Sequence, residues 1–285
     1  MKFDFIKMHG IGNDFILMNY FNRPLPQQVD FSKLAKDICQ RHFGIGADGL
    51  ILILPSQSYD VKMRIYNFDG SEAEMCGNGI RCFARYVYEQ KWVNQKKMSV
   101  ETLAGEIIPE IIFNPENNSI SGVRVDMGKP ALNRKDIPIS GENDRSVIDE
   151  TIQLKSGESF QVTCVSMGNP HCIIFTDDVN KAPVTTVGPA IETLSLFPAK
   201  TNVEFIQVIN RQEIKFRVWE RGVGETMACG TGASAAVVAG VLNKKINRDT
   251  LVHLKGGDLR IQWESNDHVY MTGSAETVFT GTFEK

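Results

Sequence analysis

The chain has 285 residues, enough for one large domain or two ordinary ones. Hydrophobic residues make up 42% and charged residues 23%, the balance of a globular protein that buries a core. A net charge of −3, from 31 basic and 34 acidic residues, gives no electrostatic reason to expect nucleic acid or an anionic membrane as a partner.

The opening stretch "MKFDFIKMHGIGNDF" is interrupted by Asp4 and Lys7 and does not read as a signal peptide. "GIGADG" (44–49) is read as lacking the G-x-G-x-x-G pattern of a dinucleotide cradle, and no G-x-x-x-x-G-K-[ST] stretch occurs, so no cofactor is expected. "VKMRIYNF" (61–68) alternates apolar and polar residues and predicts a strand. After a glycine-bearing loop, "CGNG" (76–79) leads into a predicted helix, "IRCFARYVYEQ" (80–90). "MSVETLAGEIIPEIIF" (98–113) predicts a hairpin and "NPENNS" (114–119) a turn. Gly and Pro break the pattern in "DMGKPALNRKDIP" (126–138), where the domain junction is placed, and the polar stretch 140–150 is expected to be exposed.

The same series then recurs. "EIKFRVWE" (213–220) predicts a strand, "CGTG" (229–232) a turn, and "ASAAVVAGVLNK" (233–244) a helix. That helix is apolar nearly all round, so it must be buried on most faces. Its apolar run is only about half as long as a membrane span requires. "TLVHLKGGDLRIQW" (250–263) closes the series as a hairpin. At a fixed offset of 153, Arg64 aligns with Arg217, Glu72 with Glu225, Cys76 with Cys229, Gly77 with Gly230 and Gly79 with Gly232. "TLAGEI" (102–107) matches "LKGGDL" (254–259), and "GNDFIL" (12–17) matches "GNPHCI" (168–173). Four matches in the same order indicate a duplication. The fold class is therefore α/β (α+β) in two homologous domains. The first is residues 1–127, with 274–285 as a candidate strand returning to it; the second is 128–273.

None of the six cysteines has C-x-x-C spacing and the five histidines do not cluster, so free thiols and no metal site are expected. Taken singly, a cysteine before a glycine turn is a packing residue. Two at matched points of a duplicated chain point to chemistry. A cysteine heading a helix lies beside free N–H groups and the positive end of the helix dipole, which favours the thiolate. The glycines leave amides free to cradle an anion. Paired thiols suit either a dithiol redox centre or proton transfer on both faces of a carbon, with one thiolate as base and one thiol as acid.

The stretches "NFDGSEAEMCGNGIR" (67–81) and "ERGVGETMACGTGA" (220–233) resemble the two cysteine signatures of the diaminopimelate epimerases, which work without pyridoxal phosphate. "KMHGIGNDF", "RHFGIGADGL", "GNPH" and "TNVEF" also match in order. The resemblance implies a mixed, mostly antiparallel sheet wrapped around a central helix in each of two pseudo-symmetric domains, with the active site in the cleft between them. It implies interconversion of LL- and meso-diaminopimelate, for lysine and peptidoglycan precursors, in a cytoplasmic homodimer. Cys76 and Cys229 fall on the acid–base pair. Gly77, Asn78, Gly230 and Thr231 fall on the amides around the reacting carboxylate. Asn13, Asn67, Asn169 and Asn202 fall on side-chain contacts, Arg221 on the grip of the distal carboxylate, and Glu220 near the reacting amino group. His171 and Glu220 fall on groups that tune the thiols. Cys39, Cys82, Cys164 and Cys172 are left as packing residues. Where this chain has Gly49, some relatives carry a substrate-contacting glutamine. The rival readings are a two-thiol racemase of another amino acid, a thiol redox protein and a two-lobed amino-acid binder.

Overall fold

The computed structural model describes residues 1–285 and divides into two compact units, Met1–Asp126 with Thr272–Lys285, and Met127–Met271. In the first unit the chain runs β1 (Lys2–Gly10), β2 (Asn13–Asn19), α1 (Phe31–Ile38), β3 (Gly49–Leu54), β4 (Val61–Asn67), β5 (Glu72–Ala73), α2 (Gly77–Glu89), β6 (Val100–Thr102), β7 (Gly105–Ile107), β8 (Glu110–Phe113) and β9 (Ile120–Asp126). The second unit follows with β10 (Glu150–Gln153), β11 (Ser159–Ser166), β12 (Pro170–Phe175), α3 (Val184–Glu192), β13 (Asn202–Asn210), β14 (Glu213–Glu220), β15 (Gly224–Glu225), α4 (Gly230–Leu242), β16 (Asp249–Leu254), β17 (Gly257–Trp263) and most of β18 (Val269–Gly273). The last strand, β19 (Glu276–Glu284), belongs to the first unit and pairs antiparallel with β1.

The duplication is visible in the pairing. In the first unit β1–β2 is antiparallel, β2–β3 parallel, β3–β4 antiparallel, β4–β6 parallel and β6–β7 antiparallel. The second unit repeats that sequence of senses through β11, β12, β13, β14, β16 and β17. Short β5 flanks β4 as β15 flanks β14. Each sheet carries one helix on either face. Leu50, Leu52 and Leu54 pack with Phe31, Leu34 and Ile38 of α1, while α2 lies against β1, β2, β3, β8 and β9. With both faces covered, β3 (GLILIL) is buried throughout, as a strand between two helix layers must be. In the second unit α3 packs on one face with Cys164, Cys172, Val203 and Phe205, and α4 lies against β11, β12, β13 and β17. Ten of the 13 residues of α4 are buried, which accounts for its apolar sequence.

Two local expectations need correction. Gly44, Gly46 and Gly49 do have G-x-G-x-x-G spacing, but they follow α1 and run into β3. A dinucleotide cradle needs the opposite order, strand then turn then helix. The stretch 98–113 is not one hairpin. β6 and β7 form a small one around Leu103 and Ala104, and β8 leaves to pair with β9. Pro109, which has no N–H to give a ladder, stands between β7 and β8. Within 140–150, Val147 is buried and most of the rest is exposed.

Candidate active site

Both cysteines are helix N-caps. Cys76 has φ −142° and ψ 120°, Cys229 φ −129° and ψ 107°, and α2 and α4 begin at the glycine that follows each. The extended cap leaves the first amides of the helix unbonded by the helix itself. The Gly79 N–H points at the Cys76 sulfur, 3.5 Å away. Gly79 and Gly232, three residues on, sit where the helix touches the sheet. A Cβ on Gly79 would lie 3.2 Å from Ile51 and Ile65, and one on Gly232 only 2.9 Å from Glu204 Oε1 and 3.2 Å from Cys229 Sγ.

In the first unit Asn13, Cys76 and Asn78 come together. Asn13 donates to Asp48 Oδ2 at 2.5 Å, its Oδ1 accepts from Asn78 Nδ2 at 3.0 Å, and the Cys76 thiol lies 3.9 Å from that oxygen. Behind them is a charge network that sequence reading missed. Lys7 and Arg41 both pair with Asp14, and Arg41 also pairs with Asp48. Burial opposes ionisation of Asp14, but hydrogen bonds from Arg41 and Lys7 outweigh it and hold the carboxyl at about 2. Asn67, at the end of β4, gives its amide to Ser71 Oγ. Gly49 pairs with it across β3–β4, and a Cβ there would lie 2.8 Å from the Tyr66 carbonyl oxygen. The backbone as built has no room for a side chain at 49.

The second unit gathers Asn169, His171, Glu204, Glu220, Cys229 and Thr231. Thr231 Oγ1 lies 3.6 Å from the Cys229 sulfur, and Thr226 donates its hydroxyl proton to Glu220. Asn202 is buried and engaged at both ends: Nδ2 donates to the Pro170 carbonyl and Oδ1 accepts from the Arg221 N–H, at 2.8 and 2.9 Å. It thus braces the turn that carries Arg221. That side chain is exposed and donates to the Ala199 carbonyl at 2.9 Å. Glu192, unnoticed in the sequence, holds the same turn by accepting from Trp219 Nε1 and the Gly222 N–H. His171 is fully buried, with Nδ1 2.6 Å from Glu204 Oε1 and Nε2 2.9 Å from Asn169 Oδ1. These are its ring partners here, and neither is a thiol.

The expectation that a helix N-terminus favours the thiolate does not hold at Cys229. Burial pushes this thiol well above its ordinary value, and the Glu220 and Glu204 carboxylates add to the rise. The Thr231 hydroxyl and the Gly232 amide act the other way and are outweighed. Burial likewise pushes Cys39 and Cys82 up to about 12, as suits packing residues. No group of three or more His, Cys, Asp and Glu side chains is placed to hold a metal ion. Each unit has a surface cleft away from its cysteine. One of about 330 Å³ is lined by Tyr20, Lys62 and Arg64, the other of about 460 Å³ by Lys215, Arg217 and His253. Lys62 and Arg64 of the first correspond to Lys215 and Arg217 of the second across the duplication.

A diaminopimelate epimerase family model matches residues 5–133 and 163–278. The chain is 58% identical over 280 residues to a diaminopimelate epimerase of Moorella thermoacetica, covering 98% of each chain. It is 56% identical over 279 residues to one of Pelotomaculum thermopropionicum, again covering 98% of each. Among solved structures, a phenazine biosynthesis protein of the PhzF family from Bacillus anthracis matches with TM-score 0.72 and 15% identity over the whole of both chains. A probable proline racemase from Agrobacterium radiobacter matches with TM-score 0.68 and 15% identity, over 99% of this chain and 92% of that one. At these identities the structures speak for the fold, while the sequence matches are full-length and close. The chain belongs to the diaminopimelate epimerase family.

Proposed function

We propose that the chain interconverts LL- and meso-diaminopimelate by moving a proton at the α-carbon, with Cys76 and Cys229 on opposite faces of that carbon. The observation that carries this reading is the duplicated cap: each half places one cysteine in the extended residue before its central helix. Inverting a stereocentre through a carbanion needs a base and an acid, and a duplicated half-site supplies one of each. Cys229 begins as the acid, because burial and two carboxylates keep its proton on sulfur. Cys76 begins as the base. It removes the α-proton, the electron pair stays on carbon and spreads into the carboxylate, and the Cys229 proton is delivered to the other face. Each thiol then holds what its partner held before, and the reverse direction swaps the roles. The helix amides after Gly77 and Gly230 stabilise the carboxylate as charge builds on it. Asn13, Asn67, Asn78 and Asn169 orient the substrate, and Arg221, anchored by Asn202 and Glu192, grips the distal carboxylate. We place the enzyme in the cytoplasm as a homodimer, in lysine and peptidoglycan precursor synthesis. No helix is long and apolar enough to cross a membrane.

The test is exchange of the α-proton with solvent deuterium, under reducing conditions and without added cofactor. LL- and meso-diaminopimelate should each exchange and interconvert. Exchange on another amino acid with none on diaminopimelate would transfer the assignment to a related racemase. Activity that survives both Cys76→Ala and Cys229→Ala would remove the thiols from the mechanism.

A further inference from the structure

The duplication lets the two halves be read against each other residue by residue. β2 and β3 set Phe15 beside Gly49 and Leu17 beside Ile51. β12 and β13 set His171 beside Asn202 and Ile173 beside Glu204. His171 therefore stands where the first half has Phe15, and Glu204 where it has Ile51. The contact with the central helix is equivalent too: Gly79 abuts Ile51, and Gly232 abuts Glu204. All four side chains are at most 3% exposed. Phe15 and Ile51 show that apolar packing satisfies the fold here. A buried ionisable pair adds little stability over such packing and often costs some. The second half has nonetheless placed a carboxylate and an imidazole in its core, so their use is to be sought in the site.

The donors and acceptors around His171 specify that use. Nδ1 lies 2.6 Å from a Glu204 carboxylate oxygen, a group that only accepts when ionised. Nε2 lies 2.9 Å from the Asn169 oxygen, which also only accepts. With a proton on each nitrogen the ring would satisfy both, as a cation with Glu204 for its counter-charge. Burial pushes the Glu204 carboxyl up, His171 pulls it back, and Glu220 adds to the rise. Its Oε2 is buried and accepts no hydrogen bond, so the carboxylate is committed to this one neighbour.

We propose that Glu204 and His171 are a buried positioning pair for Asn169. The carboxylate holds the ring doubly protonated, the Nε2–H holds Asn169 by its oxygen, and the Asn169 amide thereby turns its N–H donors outward to a carboxylate of the substrate. A ring with one proton would leave Nε2 as an acceptor and reverse the amide, offering the substrate an acceptor instead. The identity of that substrate rests on the epimerase reading, while the state of the ring does not.

The test combines nitrogen-15 NMR of the imidazole with kinetics of the full chain. In wild type near neutral pH both His171 ring nitrogens should be protonated; in Glu204→Gln one should lose its proton. A singly protonated ring in wild type overturns the proposal. In Glu204→Gln, KM for diaminopimelate should rise about tenfold or more, beyond any fall in kcat. Glu204→Asp, with the charge retained, should recover part of that loss. An unchanged KM overturns the proposal. The double variant His171→Phe/Glu204→Ile, copied from the first half, should fold with an undiminished thermal midpoint and bind poorly; a fully active double variant overturns it. A wild-type chain that leaves diaminopimelate untouched while showing the doubly protonated ring would remove the epimerase reading and leave the pair standing.

Discussion

Cys76 and Cys229 occupy the same backbone position, yet they lie in different surroundings. Cys76 is half-buried, beside the amides of Asn13 and Asn78. Cys229 is buried, with Glu204 and Glu220 close enough to push its thiol up. The central helices differ in the same way. α2 carries Arg81, wholly buried, donating to the Gly77 carbonyl within the helix and to Ser274 on the returning chain. At the matching place α4 has Ser234, whose hydroxyl donates to the Gly230 carbonyl and nothing further. The duplication kept the backbone and the carbonyl being satisfied, and changed the charge. A symmetric scaffold thus surrounds two matched thiols with different groups, amides around one and carboxylates around the other.

The widest separation of the halves from the rest of the molecule should come from the thiols themselves. Cys76→Ala and Cys229→Ala should each lower epimerisation by about 10³-fold or more while leaving circular dichroism unchanged. Retained turnover in either variant would break the pairing. Next comes the contrast between helices. Arg81→Met leaves two carbonyls short of a donor and should cost about 2–4 kcal/mol in denaturant unfolding, against about 1 kcal/mol or less for Ser234→Ala. Equal costs would mean that Arg81 does no more than its serine counterpart.

Acid sensitivity should also be one-sided. The Asp14 carboxyl is held at about 2, below its ordinary 3.8, and its counterpart in the second half is Pro170. Because the folded value is the lower one, the stabilisation is complete above about pH 5 and is lost as pH falls toward 2. Asp14→Asn should cost on the order of 1–2 kcal/mol at neutral pH and nothing at the acid end, as read from urea midpoints across pH. The smallest effect is a shift in reactivity. Glu220→Gln removes a negative neighbour, so the Cys229 thiol should ionise more easily. Its alkylation midpoint, measured in the Cys76→Ala background, should fall. A rise would reverse the assigned sign.

What could be read from the sequence was whatever local pattern controls. The strands before each cysteine and the two helices follow from period and cap, but α2 and α4 begin at Gly77 and Gly230, three residues ahead of the expected starts at 80 and 233, because the glycines read as turns form the first helical turn. Glu204 escaped because a glutamate within "TNVEF" looks like the polar half of an alternating strand. Its burial is decided by α4 crossing at Gly232, which no window of β13 contains. Arg81 escaped for the same reason, since a mid-helix arginine normally reaches solvent. Both were detectable at the duplicated positions, where Ile51 answers Glu204 and Ser234 answers Arg81. The thiolate expected at Cys229 failed because the helix-end argument is local, whereas the burial that overrides it comes from the whole unit.

The return of the last strand to the first has a consequence for how the protein is made. β19 pairs with β1 along nearly its whole length, and the Met1 amino group meets the Lys285 carbonyl. The second unit is one continuous stretch that can fold once residue 271 has left the ribosome. The first unit, though synthesised earlier, lacks an edge strand and the carbonyls that Arg81 and Arg85 hold at Ser274 and Ala275 until residues 274–284 emerge. The half that is translated first is therefore the half that is completed last.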